Sequence, residues 1–205
     1  SGNIASGTGS TTSGGSTNTA SGSLSTVSGG NFNTASASNS VVSGGYTNTA
    51  SGTSSTVSGG FGNTAAGENS AILGGAGLTL GVNASSSFGF LGNNSSGNNN
   101  MTISSSNTAT FGNVDLWLAN NTSTASQLLF FEPNSTDSGA FPPAGINFTA
   151  FQAGAQTTNI TYTLPTTAPT AGQVLSSDAS GNMSWTTAGG GLTNFTESVN
   201  TSAPN

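Results

Sequence analysis

Apolar residues are sparse in the first third of the chain, but their spacing is regular. Ala5, Ala20, Ala35, Ala50 and Ala65 recur every 15 residues, and Thr12, Val27, Val42, Val57 and Ile72 follow them at the same period. The polar positions keep phase. Ser10, Ser25, Ser40, Ser55 and Ser70 form one column; Asn18, Asn33, Asn48 and Asn63, each followed by Thr, form another. Gly-Gly pairs fall at 14/15, 29/30, 44/45, 59/60 and 74/75. The unit reads N-T-A-S-G-x-x-S-T-V-S-G-G-x-x. A fixed internal period marks a stacked-repeat architecture.

A unit of this length is too short for a helical pair or a propeller blade, which need more than about 30 residues. Its Gly, Ser and Thr are also poor helix formers. The pattern predicts one coil of a β-solenoid: two short strands, with corners at Ser-Gly and Gly-Gly where glycine permits positive φ. Ala20, Val27, Ala35, Val42, Ala50, Val57, Ala65 and Ile72 are the candidate core, pointing inward and stacking on their copies. The Asn and Thr columns suit side-chain ladders between stacked strands.

Segments such as Asn18-Thr-Ala-Ser-Gly22, Ser25-Thr-Val-Ser-Gly-Gly30 and Asn48-Thr-Ala-Ser-Gly52 resemble the head repeats of YadA-like trimeric autotransporter adhesins. The likeness covers residues 1–92. It implies a left-handed parallel β-roll in which three chains share an axis. Similar repeats occur in phage tail fibres and other surface fibres.

After Gly75 the repeat fades. Leu78, Leu80, Val82, Phe88, Phe90 and Leu91 make a sixth, altered coil far more apolar than the others, as expected of an end repeat or a junction. Residues 93–100 (NNSSGNNN) have no apolar residue and read as a linker. Beyond it, short alternating runs predict strands at 101–105, 114–119, 127–131, 146–151, 160–164, 173–176 and 182–186. Residues 101–188 therefore read as a small antiparallel-rich β domain, making the whole chain all-β. Its expected core is Trp117, Leu129, Phe131, Phe148, Phe151, Tyr162, Leu164, Val174, Leu175 and Trp185. Four pieces, Leu129-Phe-Phe-Glu-Pro133, Phe148-Thr-Ala-Phe151, Ile160-Thr-Tyr-Thr-Leu-Pro165 and 171–185 (AGQVLSSDASGNMSW), resemble a structural module of phage tail fibres and large bacterial surface proteins. That resemblance implies a spacer role and brings no catalytic residue. Residues 189–205 are a Gly hinge and an extended tail. The tail is either a frayed terminus or a strand donated to a neighbouring subunit, with Leu192, Phe195 and Val199 as the candidate joint.

Composition then removes whole classes of function. The 205 residues include no Lys, Arg, His or Cys, and six carboxylates give a formal charge of −6. Nucleic-acid binding needs cations to displace phosphate counterions. Zinc, haem and iron–sulfur sites need His or Cys. Nucleophilic triads and Schiff-base chemistry each lack a member. The expectation is no enzyme and no cofactor. No apolar run reaches the ~17 residues a membrane helix needs, so no membrane insertion is expected, and the chain reads as a mature, processed or excised one.

Few residues remain as candidate chemistry. Glu132 and Asp137 could act as a glycosidase pair, but nothing else supports a sugar cleft and they read as solvated loop acids. Asp178-Ala-Ser-Gly-Asn182 offers oxygens to calcium, yet it fits a hairpin turn better, with Gly181 at positive φ. Phe32, Tyr46 and Phe61 follow the Gly-Gly corners; they are either contacts for a partner or simple corner packing. Asn-x-Ser/Thr sequons, candidate glycosylation sites, occur at Asn83, Asn93, Asn94, Asn100, Asn120, Asn121, Asn134, Asn147, Asn159, Asn182, Asn194 and Asn200, and none precedes residue 83. The expected function is a non-catalytic structural subunit on the outside of a cell or virion. Its expected partners are copies of itself, in a head-to-tail polymer or a homotrimer. The alternative is an adhesin head or tail-fibre segment that binds a host-surface ligand.

Overall fold

A computed structural model describes residues 2–92, 100–119, 126–131, 147–152 and 158–187. Among these the chain is all-β and contains no helix. It divides into two compact units, Ser1–Trp117 and Leu118–Asn205.

The first unit is a parallel β-solenoid with two seven-stranded sheets. One sheet stacks Ile4–Ala5, Thr19–Ala20, Thr34–Ala35, Thr49–Ala50, Thr64–Ala65, Leu78–Leu80 and Met101–Ile103; the other stacks Thr11–Thr12, Thr26–Val27, Val41–Val42, Thr56–Val57, Ala71–Gly75, Phe88–Leu91 and Ala109–Gly112. Most strands are only two residues long because corners interrupt the chain on both sides. They persist because each strand pairs in register with the coil above and the coil below, as Thr34 does with Thr19 and Thr49. The backbone bonds repeat almost unchanged, with Thr19 N donating to Asn33 O at 2.8 Å and Thr34 N to Asn48 O at 2.8 Å. Seven rungs at ~4.8 Å make a stack about 29 Å long.

Alternation decides which side chains go inside. Thr19 faces out and Ala20 faces in; Thr26 faces out and Val27 faces in. Ala20, Val27, Ala35, Val42, Ala50, Val57, Ala65 and Ile72 are all 0 % exposed. Each buried Val stabilises by roughly 1.5–3 kcal/mol and each Ala methyl by under about 1, so the apolar core is thin. Leu78, Leu80 and Leu91, with Met101 and Ile103 packed against them, thicken it at the C-terminal end.

The rod runs past the expected boundary at residue 92. Met101–Ile103 pairs with Leu78–Leu80, and Ala109–Gly112 with Phe88–Leu91. The segment expected to begin a separate domain is instead the last rung. The stretch 93–100 read as a linker because it has no apolar residue, and the 15-residue period does not carry across it: Thr79 pairs with Thr102, 23 residues on. The strand register holds across the longer separation. Residues 114–119, expected as a strand, are irregular, and Trp117 is 83 % exposed.

The second unit contains two antiparallel hairpins, Gln127–Phe131 with Phe148–Gln152 and Gln173–Ser177 with Met183–Thr187. Residues 160–164 form no strand; Thr163 makes a single parallel bridge to Asn182. The expected core does not form among the described residues. Phe151, Tyr162, Leu164, Val174 and Leu175 are exposed, Leu129, Phe131 and Trp185 are half-buried, the Phe148 side chain lies outside the described ones, and among this unit's described residues Gly181 alone is buried. A two-stranded hairpin covers one edge of each strand and neither of its faces.

Candidate functional site

The interior of the rod is half polar. Asn18, Asn33, Asn48 and Asn63 are fully buried beside the Ala and Val columns. Each lies four residues after the first glycine of a Gly-Gly pair, and each amide ties two coils together. Asn48 shows the pattern. Its Nδ2 donates to Gly44 O in its own coil at 3.0 Å and to Gly60 O in the next at 2.9 Å. Its Oδ1 accepts from the backbone N of Asn63 at 3.0 Å, while its own N donates to Asn33 Oδ1 at 2.9 Å. Both amide protons are therefore used, and the chain of bonds runs from Asn3 through Asn63 to the backbone N of Leu78. At about 0.5–1.5 kcal/mol net per bond, the three bonds of one Asn side chain match the burial of a Val. The column was legible in the sequence as a period. Its inward direction was not, because Asn is usually a surface residue.

This ladder fixes the corner chemistry. Gly60 O accepts twice, from Asn48 Nδ2 and from Tyr46 N. A methyl group at Gly45 would overlap Gly60 O and the Asn48 amide, and its φ of 90° is also in the left-handed region. The Ser-Gly corner works differently from expectation. Gly22 is not at positive φ but lies where a side chain would strike Ala37 O; the left-handed position falls two residues later, at Leu24, Asn39, Ser54 and Asn69. The buried Ser column is uneven. Ser40 Oγ donates to Ala37 O and Ser70 Oγ to Gly67 O, both at 2.7 Å, whereas the buried hydroxyls of Ser25 and Ser55 have no partner.

Outside, Phe32, Tyr46 and Phe61 form a ring ladder along one corner, with centroids 5.6 Å apart at each step. Tyr46 and Phe61 are bridge partners and stack at 1°. Tyr46 bridges Asn31 rather than Phe32, so the Phe32 ring arrives from the neighbouring position and meets Tyr46 edge-on. The rings pack on one another and remain exposed. Further along, the outer face of the second sheet becomes apolar, with Leu73, Phe88 and Phe111 exposed and Phe88 edge-on to Phe111 at 5.8 Å.

In the second unit, the Asp178 carboxylate is committed to its own turn. Oδ1 accepts from Ser180 N and Asn182 N, and Oδ2 from Asn182 Nδ2, each at 2.9 Å. Asn182, first through its side chain and then its backbone, holds the Asp178 carboxyl below the usual carboxylate range, with Ser180 assisting. Gly181 takes φ 84° in this turn. Among the described residues no cluster of three metal-ligating side chains occurs, and no helix is long and apolar enough to cross a membrane.

Several sequence-derived candidates lie outside the described residues: Glu132, Asp137, the joint residues Leu192, Phe195 and Val199, and the sequons at Asn93, Asn94, Asn120, Asn121, Asn134, Asn194 and Asn200. The described sequon residues Asn83, Asn100, Asn147, Asn159 and Asn182 are all exposed. No protein-family model matches the chain, and a search of curated proteins returns no match.

Proposed function

We propose that this chain is a non-catalytic, extracellular structural subunit that assembles with copies of itself into a filament or surface fibre. The observation that carries the proposal is the contrast between the two units. The rod satisfies its own interior, amide by amide. The hairpins leave Leu128, Phe130, Phe151, Val174 and Leu175 exposed, and exposed apolar strands find partners by edge pairing and face burial. Assembly supplies what one copy lacks.

The ends of the rod support a joint of a different kind from simple stacking. The ladder column begins with Asn3 and ends with Leu78 and Met101. Met101 cannot offer an amide oxygen to the next Asn3, so coil-on-coil growth would leave that bond unmade. We place the joint in residues 192–205 instead, taking the tail as a donated strand rather than a frayed terminus. The surface has no cationic side chain for phosphate or anionic lipid, which argues against nucleic acid or membrane as the partner.

The exposed ladder Phe32–Tyr46–Phe61 favours a second function, an adhesin head or tail-fibre segment that presents this corner to a host surface. Electron microscopy of the full chain separates the two. Filament growth needs a heterologous, non-closing contact and gives long threads; a fibre head closes with threefold symmetry and gives short rods. Removing residues 192–205 is expected to abolish threads while leaving the rod folded. Normal threads from the truncated chain would overturn the assigned joint.

A further inference from the structure

The sequons divide the molecule at the same place as the ladder. Residues 1–82 contain eight Asn and no sequon, although Ser and Thr fill 31 of those 82 positions. For the five ladder residues Asn3, Asn18, Asn33, Asn48 and Asn63 the structure gives the reason. Ladder residues such as Asn48 point inward, the next residue points outward, and the one after it is the inward-facing Ala50. The sequon's hydroxyl position therefore falls in the apolar column. An oligosaccharide on the Asn48 amide would also displace bonds to Gly44 O and Gly60 O. Beyond residue 82 the pattern reverses. Seventeen Asn among 123 residues, with Ser and Thr at 37 positions, would give about five sequons by chance, and twelve are present. All five described acceptors are exposed, and Asn83 sits in the turn between Leu78–Leu80 and Phe88–Leu91.

We propose that Asn83 and the exposed sequon asparagines after it accept N-linked oligosaccharide, while residues 2–82 stay bare. The donor class is a lipid pyrophosphate-linked oligosaccharide. The Asn Nδ2 attacks the anomeric carbon, a C–N bond replaces the C–O bond to phosphate, the lipid pyrophosphate leaves, and one amide proton is lost. The modification rests on the extracellular function above, since the chain must leave the cytoplasm to meet that donor. Its consequence is a rod that is bare up to its last coils and carries sugar from Asn83 onward.

The test is secretion of the full chain from yeast or insect cells, followed by peptide-N-glycosidase treatment and peptide mass spectrometry. Chymotrypsin replaces trypsin, which has no site here. The enzyme converts each modified Asn to Asp. The expected result is conversion at position 83 and at further sequons, none at Asn3–Asn69, and loss of one glycan without a change in melting temperature in Asn83→Gln. A secreted chain with the mass of bare polypeptide, or an unmodified Asn83, would overturn the proposal. Threads formed by bare protein would sink the glycan proposal alone. Glycosylated protein that stays as single particles would sink the fibre function alone.

Discussion

The two units invert the usual relation between side-chain size and burial. The rod is built from Ala, Val, Ser and Asn, yet those residues are sealed from water. The second unit carries Phe, Trp, Tyr and Leu, yet among its described residues only a glycine is buried. Repetition accounts for the difference. A rod strand has a neighbour above, a neighbour below and a second sheet behind, so even a methyl group is enclosed and every inward amide meets a carbonyl at a fixed distance. A hairpin strand has one partner, and its larger side chains have nothing to close over them within the described chain. Burial follows from the number of neighbours, and the repeat supplies them cheaply.

The sharpest way to break this comparison is Val42→Asp. The substitution places a carboxylate between Val27 and Val57, where no Lys or Arg exists to pair with it. Burial penalises the charged form, so a loss of several kcal/mol is expected. The new carboxyl has a folded-state pKa raised above about 4, so the protonated form is tolerated best. The penalty grows as pH rises above that value. Circular dichroism melts at two pH values measure it; an unchanged melting temperature would mean that this column does not face inward.

Asn48→Ala tests whether the ladder matters as much as the apolar column. It leaves Gly44 O and Asn63 N without a partner, and Gly60 O with Tyr46 N alone, at about 1–3 kcal/mol for each orphaned group that water cannot reach. Urea titration is expected to show a loss of about 2–5 kcal/mol. A loss under about 1 would return the rod's stability to its methyl groups.

The Ser column sharpens the same point on a smaller scale. Ser40→Ala removes the bond to Ala37 O and is expected to cost about 1 kcal/mol. Ser25→Ala and Ser55→Ala remove buried hydroxyls without partners, and are expected to be neutral or slightly stabilising. Equal losses at all three positions would contradict the unevenness of the column.

The smallest effect belongs to the hairpins. Asp178 titrates below its ordinary range because Asn182 and Ser180 bind its ionised form. Its contribution is present above the unfolded value near pH 4 and is lost as pH falls through the lower folded value. Proton NMR of the Ser180 and Asn182 amides is expected to show the turn loosening only in strong acid, while the rod's amides stay unchanged.

Most of the rod was legible in the chain itself. The period placed Ala20 and Val27, and a Gly-Gly corner is difficult to satisfy in any other architecture of that length. Two features were hidden for physical reasons. Asn48 resembles a surface residue until its donors are matched to glycine carbonyls that only stacking brings near. The last rung was hidden because the polar sequence 93–100 resembles a linker, while Met101–Ile103 keeps its register with Leu78–Leu80. The apolar run Leu128–Phe131 correctly indicated a strand but wrongly implied a buried face. Such a run records that a strand is apolar, not that the same copy of the chain covers it.

The contrast between the units is tested most directly by hydrogen–deuterium exchange on the full chain, in dilute solution and at the high concentration where the proposed assembly is expected. Rod amides such as those of Thr34 and Thr49 are expected to exchange slowly at both concentrations. The hairpin amides of Gln127–Phe131 and Gln173–Ser177 are expected to be fast in dilute protein and slow only after assembly. Hairpin amides as slow as the rod's in dilute protein, or unchanged by assembly, would contradict the account.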